Sequence, residues 1–138
     1  MSHDPPRILV VDDDVDICQN LSDILSDLGA GIMGGLGMAP SADIGEKHAV
    51  FQPCHGSAPD IMGQDKANPI AAILSGAMML DWLADMHSLP EAARAADLVN
   101  RAVSKTLTSG SVMPMEFGGT TGTKAMTAAI RATMAQLA

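Results

Sequence analysis

Apolar and polar positions at the start of the chain predict one strand followed by one helix. The stretch "RILVVDDD" (7–14) is a short apolar run that ends in three acids, which is typical of a central parallel strand delivering carboxylates at its C-terminal edge. Apolar residues then recur at helical spacing as far as Leu28, and Gly29 offers a stop. Residues 1–6 before this unit are a polar tail.

The middle of the chain predicts short strands separated by loops. The stretch "GIMGGLGMAPSADIG" (31–45) is rich in Gly, Ala and Pro and predicts a loop with a short strand around 36–39. The stretch "AVFQPCHG" (49–56) predicts a second, buried strand, and "SAPDIMGQDKA" (57–67) predicts a loop. "GLGMAP" is not a dinucleotide fingerprint, because it lacks the third glycine of GxGxxG and does not join a strand to a helix.

The second half of the chain predicts helices with clear start signals. Asn68 can cap a helix in which Pro69 takes the first position, and this helix should run to about residue 87. Ser88 and Glu91 have capping-box spacing, so a second helix should begin there and end near residue 108.

A last helix should occupy roughly 122–137 with Thr121 as its cap, after a short strand or extended link at 113–119. Strands and helices alternate first, and helices dominate later. The sequence therefore predicts an α/β fold, with a small parallel or mixed sheet, packed helices and a helix-rich C-terminal half.

Composition and charge exclude several classes of protein. The 138 residues suffice for one domain, and the eight cations of a chain with net charge −8 are scattered, which argues against nucleic acid as a partner. The most apolar run, 68–80, is shorter than the roughly 20 residues of a membrane span. Cys18 and Cys54 stand alone, which favours reduced thiols and a cytoplasmic protein.

The segment "RILVVDDDVDICQNLSDILSDLG" (7–29) resembles the first strand and helix of a response-regulator receiver domain. The resemblance implies that Asp12 and Asp13 would help to hold Mg²⁺ beside a phosphorylated aspartate. The remaining strands of a receiver do not follow, so neither a phosphoacceptor aspartate nor the later lysine can be assigned. A receiver-like signalling fragment is therefore the least favoured interpretation.

A much longer part of the chain, from about residue 22 to 138, resembles the C-terminal part of the isopropylmalate, isocitrate and tartrate dehydrogenases, which are NAD-dependent and β-decarboxylating. The resemblance is carried by "DILSDLGAGIMGGLGMAPSADIG" (23–45), "HAVFQPCHGSAPDIMGQDKANPIAAILSGAMMLDWL" (48–83) and "FGGTTGTKAM" (117–126). The two resemblances overlap at 22–29, within one domain. We interpret the chain as a natural or constructed chimera, joined where Ser22 replaces the usual Phe-Gly.

Two aspartates of the overlap could bind a metal. Asp23 and Asp27 are four residues apart, which places both carboxylates on one helix face. The dehydrogenase resemblance implies that this pair holds Mg²⁺ or Mn²⁺ together with a third carboxylate from elsewhere, so the site here is incomplete. An exposed acidic helix face without metal is the alternative, because two carboxylates alone rarely satisfy a hard cation.

The loop "HGSAPDI" (55–61) carries the strongest functional signal. The dehydrogenase resemblance implies that it wraps the adenosine half of NAD, that Asp60 binds the ribose hydroxyls and that Asn68 reaches the adenine. A carboxylate accepts hydrogen bonds from ribose hydroxyls but repels a 2′-phosphate, which favours NAD over NADP. The predicted cofactor-binding residues are His55, Gly56, Ser57, Ala58, Asp60, Ile61 and Asn68. Without the resemblance, the segment would be an ordinary turn-rich connection.

No catalytic residue is predicted. The resemblance implies proton transfer by a tyrosine and a lysine and binding of substrate carboxylates by arginines, yet this sequence has no tyrosine, and none of its lysines or arginines falls at a matching position. We therefore expect a truncated or chimeric relative of 2-hydroxy-acid dehydrogenases that is inactive alone. A structural or constructed α/β domain without any ligand is the alternative from a different class.

Self-association is expected. A truncated sheet would have open edges, and the apolar helix that starts near residue 68 would lack part of its cover. The sequence therefore predicts a homodimer or higher oligomer, formed through an exposed sheet edge or through helices.

Overall fold

The computed structural model describes residues 35–138. This part of the chain contains a β-hairpin and three α-helices, joined by short 3₁₀ turns. The strands are β1 (Pro40–Ile44) and β2 (Ala49–Pro53), and the helices are α1 (Ile70–His87), α2 (Pro90–Thr108) and α3 (Thr123–Leu137). The 3₁₀ turns are Leu36–Met38, Pro59–Ile61 and Met115–Phe117. The predicted α/β class with a helix-rich C-terminal half is confirmed.

The two strands pair antiparallel, with Ala42 opposite Phe51 and Ile44 opposite Ala49. The predicted parallel strand at 7–14 lies outside the described residues. The strand expected around 36–39 is misplaced, because these residues form a 3₁₀ turn and the strand begins at Pro40. The prediction that β2 is buried is also wrong, since its residues alternate between half-buried and exposed. Such alternation is typical of a hairpin with one face on the core and one in solvent.

Helix α1 ends at His87 as predicted and begins one residue later than predicted, because Pro69 takes the N-cap position and Ile70 the first helical position. The Oδ1 atom of Asn68 accepts a hydrogen bond from the backbone N–H of Ile70 at 3.1 Å, and Pro69 precedes the helix with αR backbone angles. The helix packs against both strands, and the ring of Trp82 lies 6.0 Å from that of Phe51. Helix α1 therefore joins the hairpin to the remaining helices.

Helix α2 has the predicted length but not the predicted cap. Ser88 adopts left-handed backbone angles (φ 52°) that end α1, and Leu89 takes the N-cap position without a side-chain hydrogen bond. The capping box is therefore absent, because Ser88 is already used to terminate the preceding helix. The carboxyl of Glu91 instead accepts hydrogen bonds from its own backbone N–H and from Arg94. These hydrogen bonds lower its pKa.

Helix α3 also begins differently from the prediction. Gly122, not Thr121, occupies the N-cap position. The hydroxyl of Thr121 instead accepts a hydrogen bond from the backbone N–H of Met113 at 3.1 Å. The segment expected to be extended contains the Met115–Phe117 turn, and a single parallel bridge pairs Pro114 with Thr121.

The core lies among the three helices and the Leu36–Met38 turn. Its largest fully buried side chains are Ile70, Met126 and Ile130. Two threonines bridge α2 and α3 beside it, where the hydroxyl of Thr106 donates to that of Thr133 at 2.8 Å. In the described part of the chain, aliphatic side chains and methionine therefore perform the packing that aromatic residues often provide.

Helix α1 is apolar around much of its circumference, yet part of that surface is exposed. Met79 and Met86 are 41% and 51% exposed, and on the hairpin Ile44 is 62% exposed. At the C-terminal half of α1, burial raises the pKa of Asp81, with further contributions from Asp85 and Asp97. Among the described residues, no helix has the length and hydropathy needed to cross a membrane.

Candidate functional site

A cleft of about 540 Å³ lies beside the connection from β2 to α1. We refer to this connection, residues 54–69, as the cleft loop. The opposite wall comes from the Leu36–Met38 and Met115–Phe117 turns and the first residue of α3. The volume falls in the range of small-molecule sites, roughly 300–1,000 Å³. The lining residues are Leu36, Gly37, His55, Gly56, Ser57, Ala58, Ile61, Met62, Gly63, Asp65, Lys66, Ala67, Asn68, Glu116 and Thr123.

The cleft loop is folded onto itself by local turns. Ala58 adopts left-handed angles (φ 44°, ψ 61°), which direct the chain into the Pro59–Ile61 turn. Within this turn, the backbone N–H of Ile61 donates to the carbonyl of Ala58 at 3.1 Å. The side-chain amide of Gln64 donates to the carbonyl of Asp60 at 2.7 Å, which closes the next turn. The Ser, Ala, Pro and Asp of the sequence thus form a compact loop.

Asp65 fixes the end of the cleft loop to helix α3. Its backbone carbonyl accepts the N–H of Thr123 at 3.1 Å, and its Oδ1 atom accepts the N–H of Lys124 at 2.9 Å. The hydroxyl of Thr123 in turn donates to the carbonyl of Ala67. These N–H groups belong to the first turn of a helix, where no intrahelical acceptor exists, and a carboxylate is electrostatically favoured there. Asp65 therefore caps α3 from a distant part of the chain.

Asn68 lies three residues after Asp65 and contacts the opposite wall. While its Oδ1 atom caps α1, its Nδ2 atom donates to Oε1 of Glu116 at 2.6 Å and lies 3.4 Å from the sulfur of Met38. Asn68 is half-buried and Glu116 is exposed. The C-terminal part of the cleft loop is thus attached by side-chain hydrogen bonds to α3 through Asp65 and to the Met115–Phe117 turn through Asn68.

The structure brings most of the predicted cofactor-binding residues to this one cleft. His55, Gly56, Ser57, Ala58, Ile61 and Asn68 all line it. Asp60, by contrast, is not among the lining residues of the described chain: it lies on the exposed Pro59–Ile61 turn beside the lining residue Ile61. The predicted metal ligands Asp12, Asp13, Asp23 and Asp27 lie outside the described residues.

Cys54 and His55 do not form a catalytic pair. The thiol of Cys54 lies 3.7 Å from the carbonyl of Pro40 on β1, whereas Nδ1 of His55 lies 2.9 Å from the carbonyl of Gly56. Within residues 35–138, no group of three or more His, Cys, Asp or Glu side chains is placed to hold a metal ion.

Several lining residues were not predicted as site residues, notably Asp65, Lys66, Glu116 and Thr123. The glycines of "FGGTTGT" (117–123) are the sequence signal that could have indicated that this segment packs closely against the cleft loop. A Cβ atom on Gly122 would lie 2.5 Å from the carbonyl oxygen of Asp65, and one on Gly119 would overlap the carbonyl of Met113. Glycines that allow such close approach of backbone signal that two segments meet there.

Comparison with known proteins gives a consistent result. A sequence model described as isocitrate/isopropylmalate dehydrogenase matches residues 8–130. The isocitrate/homoisocitrate dehydrogenase of Thermus thermophilus is 52% identical over 118 residues, which cover 85% of this chain and 33% of the relative. The 3-isopropylmalate dehydrogenase of Methanothermobacter thermautotrophicus is 49% identical over 108 residues, covering 78% and 30%.

Solved structures agree with the sequence matches. The crystal structure of a β-decarboxylating dehydrogenase from Thermococcus kodakarensis superposes with a TM-score of 0.73 at 38% identity, covering 86% of this chain and 33% of that one. The chain thus spans about a third of the length of the curated relatives it matches. The family match also extends back to residue 8, through most of the segment that resembles a receiver.

The close approach of Asp65 and Gly122 predicts a specific stability effect. Gly122→Ala should destabilise the fold by about 1–3 kcal/mol, because the added methyl displaces the Asp65 carbonyl from α3. Gly76→Ala is the matched control, since a Cβ there meets no atom within 4 Å and the position is inside α1. The control should be neutral or stabilising by about 0.5–1 kcal/mol. Urea unfolding of both variants measures the difference, and equal midpoints would contradict the contact.

Proposed function

The chain belongs to the isocitrate/isopropylmalate dehydrogenase family, and we propose that its described part binds the adenosine half of NAD in the cleft. The observation that carries this proposal is the convergence of His55, Gly56, Ser57 and Asn68, predicted as cofactor-binding residues, on one cleft of suitable size. They come from both ends of the cleft loop, so the loop's fold is needed to bring them together.

The chemistry of the lining fits an adenosine nucleotide. A Cβ atom placed on Gly56 or Gly63 would meet no protein atom within 4 Å, so a ligand can approach the backbone closely there. The hydroxyl of Ser57 and the Oδ1 atom of Asn68 supply polar partners, and Ile61 supplies apolar surface. Lys66 adds a positive charge that would offset the charge of the phosphates.

We assign the choice of NAD over NADP to Asp60. Its turn forms part of the rim of the cleft, next to the lining residue Ile61. A carboxylate at the rim can accept hydrogen bonds from the ribose hydroxyls, and it would repel a 2′-phosphate at the same place. The positive charge of Lys66 is available for the diphosphate further along the ligand.

NAD, when bound, supplies the acceptor for a hydride from a 2-hydroxy acid, and the residues of the cleft bind and orient it. We propose that Asp23 and Asp27 contribute to a Mg²⁺ or Mn²⁺ site, with Asp12 and Asp13 as the weaker receiver-type candidates. The 138 residues contain no tyrosine, and the proton transfer expected of the family requires one. We therefore propose that this chain alone binds the cofactor without turning over a substrate.

The receiver-like origin of residues 7–29 is a separate prediction. The segment 7–29 carries the pattern of a receiver strand and helix, whereas the family match begins at residue 8. An apolar strand, terminal acids and an amphipathic helix suit either family, so the pattern is compatible with both. The chimera junction near Ser22 and a cytoplasmic location likewise stay predictions.

The binding proposal is tested by calorimetric titration of NAD into the chain and into Asp60→Ala. The variant should bind NAD about tenfold or more weakly, since a hydrogen bond to a charged group contributes roughly 1.5–3 kcal/mol. The ratio of the NADP to the NAD dissociation constant should also fall towards one in this variant. Asp43→Ala is the matched control, because it removes the same charge from an exposed position on β1. Flat titrations of the folded wild-type chain would contradict cofactor binding and favour a structural domain without ligand.

We further propose that the chain forms a homodimer or higher oligomer through α1. Met79 and Met86 are seven residues apart, which places them two turns apart on one face, and both are exposed. The double variant Met79→Lys, Met86→Lys should dissociate the oligomer in analytical ultracentrifugation. The double variant Ile44→Lys, Val50→Lys tests the alternative interface on the hairpin, where both side chains are also exposed. A monomeric wild-type chain at high concentration would contradict self-association.

A further inference from the structure

The side-chain amide of Asn68 has only one possible orientation. Its oxygen lies 3.1 Å from the backbone N–H of Ile70, which can only donate. Its nitrogen lies 2.6 Å from a carboxylate oxygen of Glu116, which when ionised can only accept, and 3.4 Å from the sulfur of Met38. A flipped amide would place oxygen against carboxylate and nitrogen against N–H, so the hydrogen-bond network fixes the assignment.

This orientation determines what Asn68 can offer to a ligand. Both amide hydrogens are directed to protein acceptors, Glu116 and Met38. One of the two lone pairs on Oδ1 is used by Ile70, and the other is available. Because Asn68 lines the cleft, it presents an acceptor there and no donor.

Glu116 reaches Asn68 across the cleft because Gly37, which has no Cβ atom, leaves room for the carboxylate. The Met115–Phe117 turn brings the carboxylate over Gly37, where any Cβ atom would overlap its oxygens. The hydrogen bond joins residues 48 positions apart in the sequence. A charge-assisted bond of this kind is roughly twice as strong as a neutral one.

We propose that Glu116 is a positioning residue that makes the cleft select a base with an exocyclic amino group. Glu116 accepts a hydrogen bond from the Asn68 amide nitrogen, so the group of Asn68 that is left for the base is the free lone pair on Oδ1. That lone pair can accept a hydrogen bond from the 6-amino group of adenine. A 6-oxo purine offers an acceptor at the same place, and two acceptors repel. This inference rests on the proposed function, because it requires the adenosine half of NAD to lie in the cleft with its base near Asn68.

The consequence is tested with NAD and its deamino analogue, in which hypoxanthine replaces adenine. The wild-type chain should bind NAD about tenfold more tightly, the effect of roughly one hydrogen bond. In Glu116→Ala an amide hydrogen of Asn68 becomes free to donate to the 6-oxo group, so the preference should fall to near one. Glu116→Gln keeps an acceptor for Asn68 and should retain most of the preference. An unchanged preference in Glu116→Ala would overturn the proposal.

A second measurement tests the contact without any ligand. The ¹H and ¹⁵N resonances of the Asn68 side-chain amide should differ between the wild-type chain and Glu116→Ala, because the variant loses the hydrogen bond at 2.6 Å, and Glu116→Gln should resemble the wild type more closely. Unchanged Asn68 amide resonances in Glu116→Ala would overturn the positioning role. If the resonances change in Glu116→Ala but the folded wild-type chain binds neither dinucleotide, the proposed function fails, and with it the selection of the base, while the contact stands.

Discussion

The capping of α3 by Asp65 is the interaction on which the rest of the site depends. A helix start leaves backbone N–H groups without partners, and here two of them, from Thr123 and Lys124, are satisfied by a residue of the cleft loop. Helix α3 contributes Met126 and Ile130 to the core, so its position is set by packing. Its hydrogen bonds to Thr123 and Lys124 let Asp65 hold the cleft loop in a fixed place relative to the core.

The attachment of Asp65 affects the residues on either side of it in the cleft loop. Asn68 lies three residues after Asp65 and begins the approach to α1, whose first residue, Ile70, is fully buried. The start of the loop is attached to the hairpin, where the backbone N–H of Cys54 donates to the carbonyl of Ala39 at 3.2 Å, and the residues between Cys54 and Asp65 fold into the turns around Pro59–Ile61. A loop ordered by protein contacts binds a ligand at lower entropic cost than one that the ligand must order. The arrangement therefore favours a pre-formed cofactor cleft.

The sequence predicts those parts of the fold that local signals determine. The start of α1 follows from Asn68 and Pro69, and the end of α2 from the residues before Gly110. The family resemblance implied that the "HGSAPDI" loop and Asn68 form one cofactor site, and six of the seven predicted residues line the cleft, five from this loop together with Asn68. Asp60 is the one placed on the adjoining turn instead.

The misplaced features depend on competing uses of the same residues or on contacts outside the local pattern. Ser88 and Thr121 have good capping chemistry, but the chain uses Ser88 to end α1 and Thr121 to accept from Met113. Asp65 acts on a helix that begins 58 residues later, and no local pattern shows such a contact. The role of Glu116 likewise depends on Gly37, because only a residue without Cβ leaves space for the carboxylate.

Hydrogen exchange of the Thr123 and Lys124 amides in the ligand-free chain tests most directly whether Asp65 holds the cleft loop to α3. First-turn amides of a helix ordinarily exchange fast, because they lack an intrahelical acceptor. Both amides should exchange far more slowly than unprotected ones, and should lose this protection in Asp65→Ala while the core amides of Ala102 and Val103 stay protected. Fast exchange of Thr123 and Lys124 in the wild-type chain, with α2 still protected, would contradict a cleft that is formed before its ligand binds.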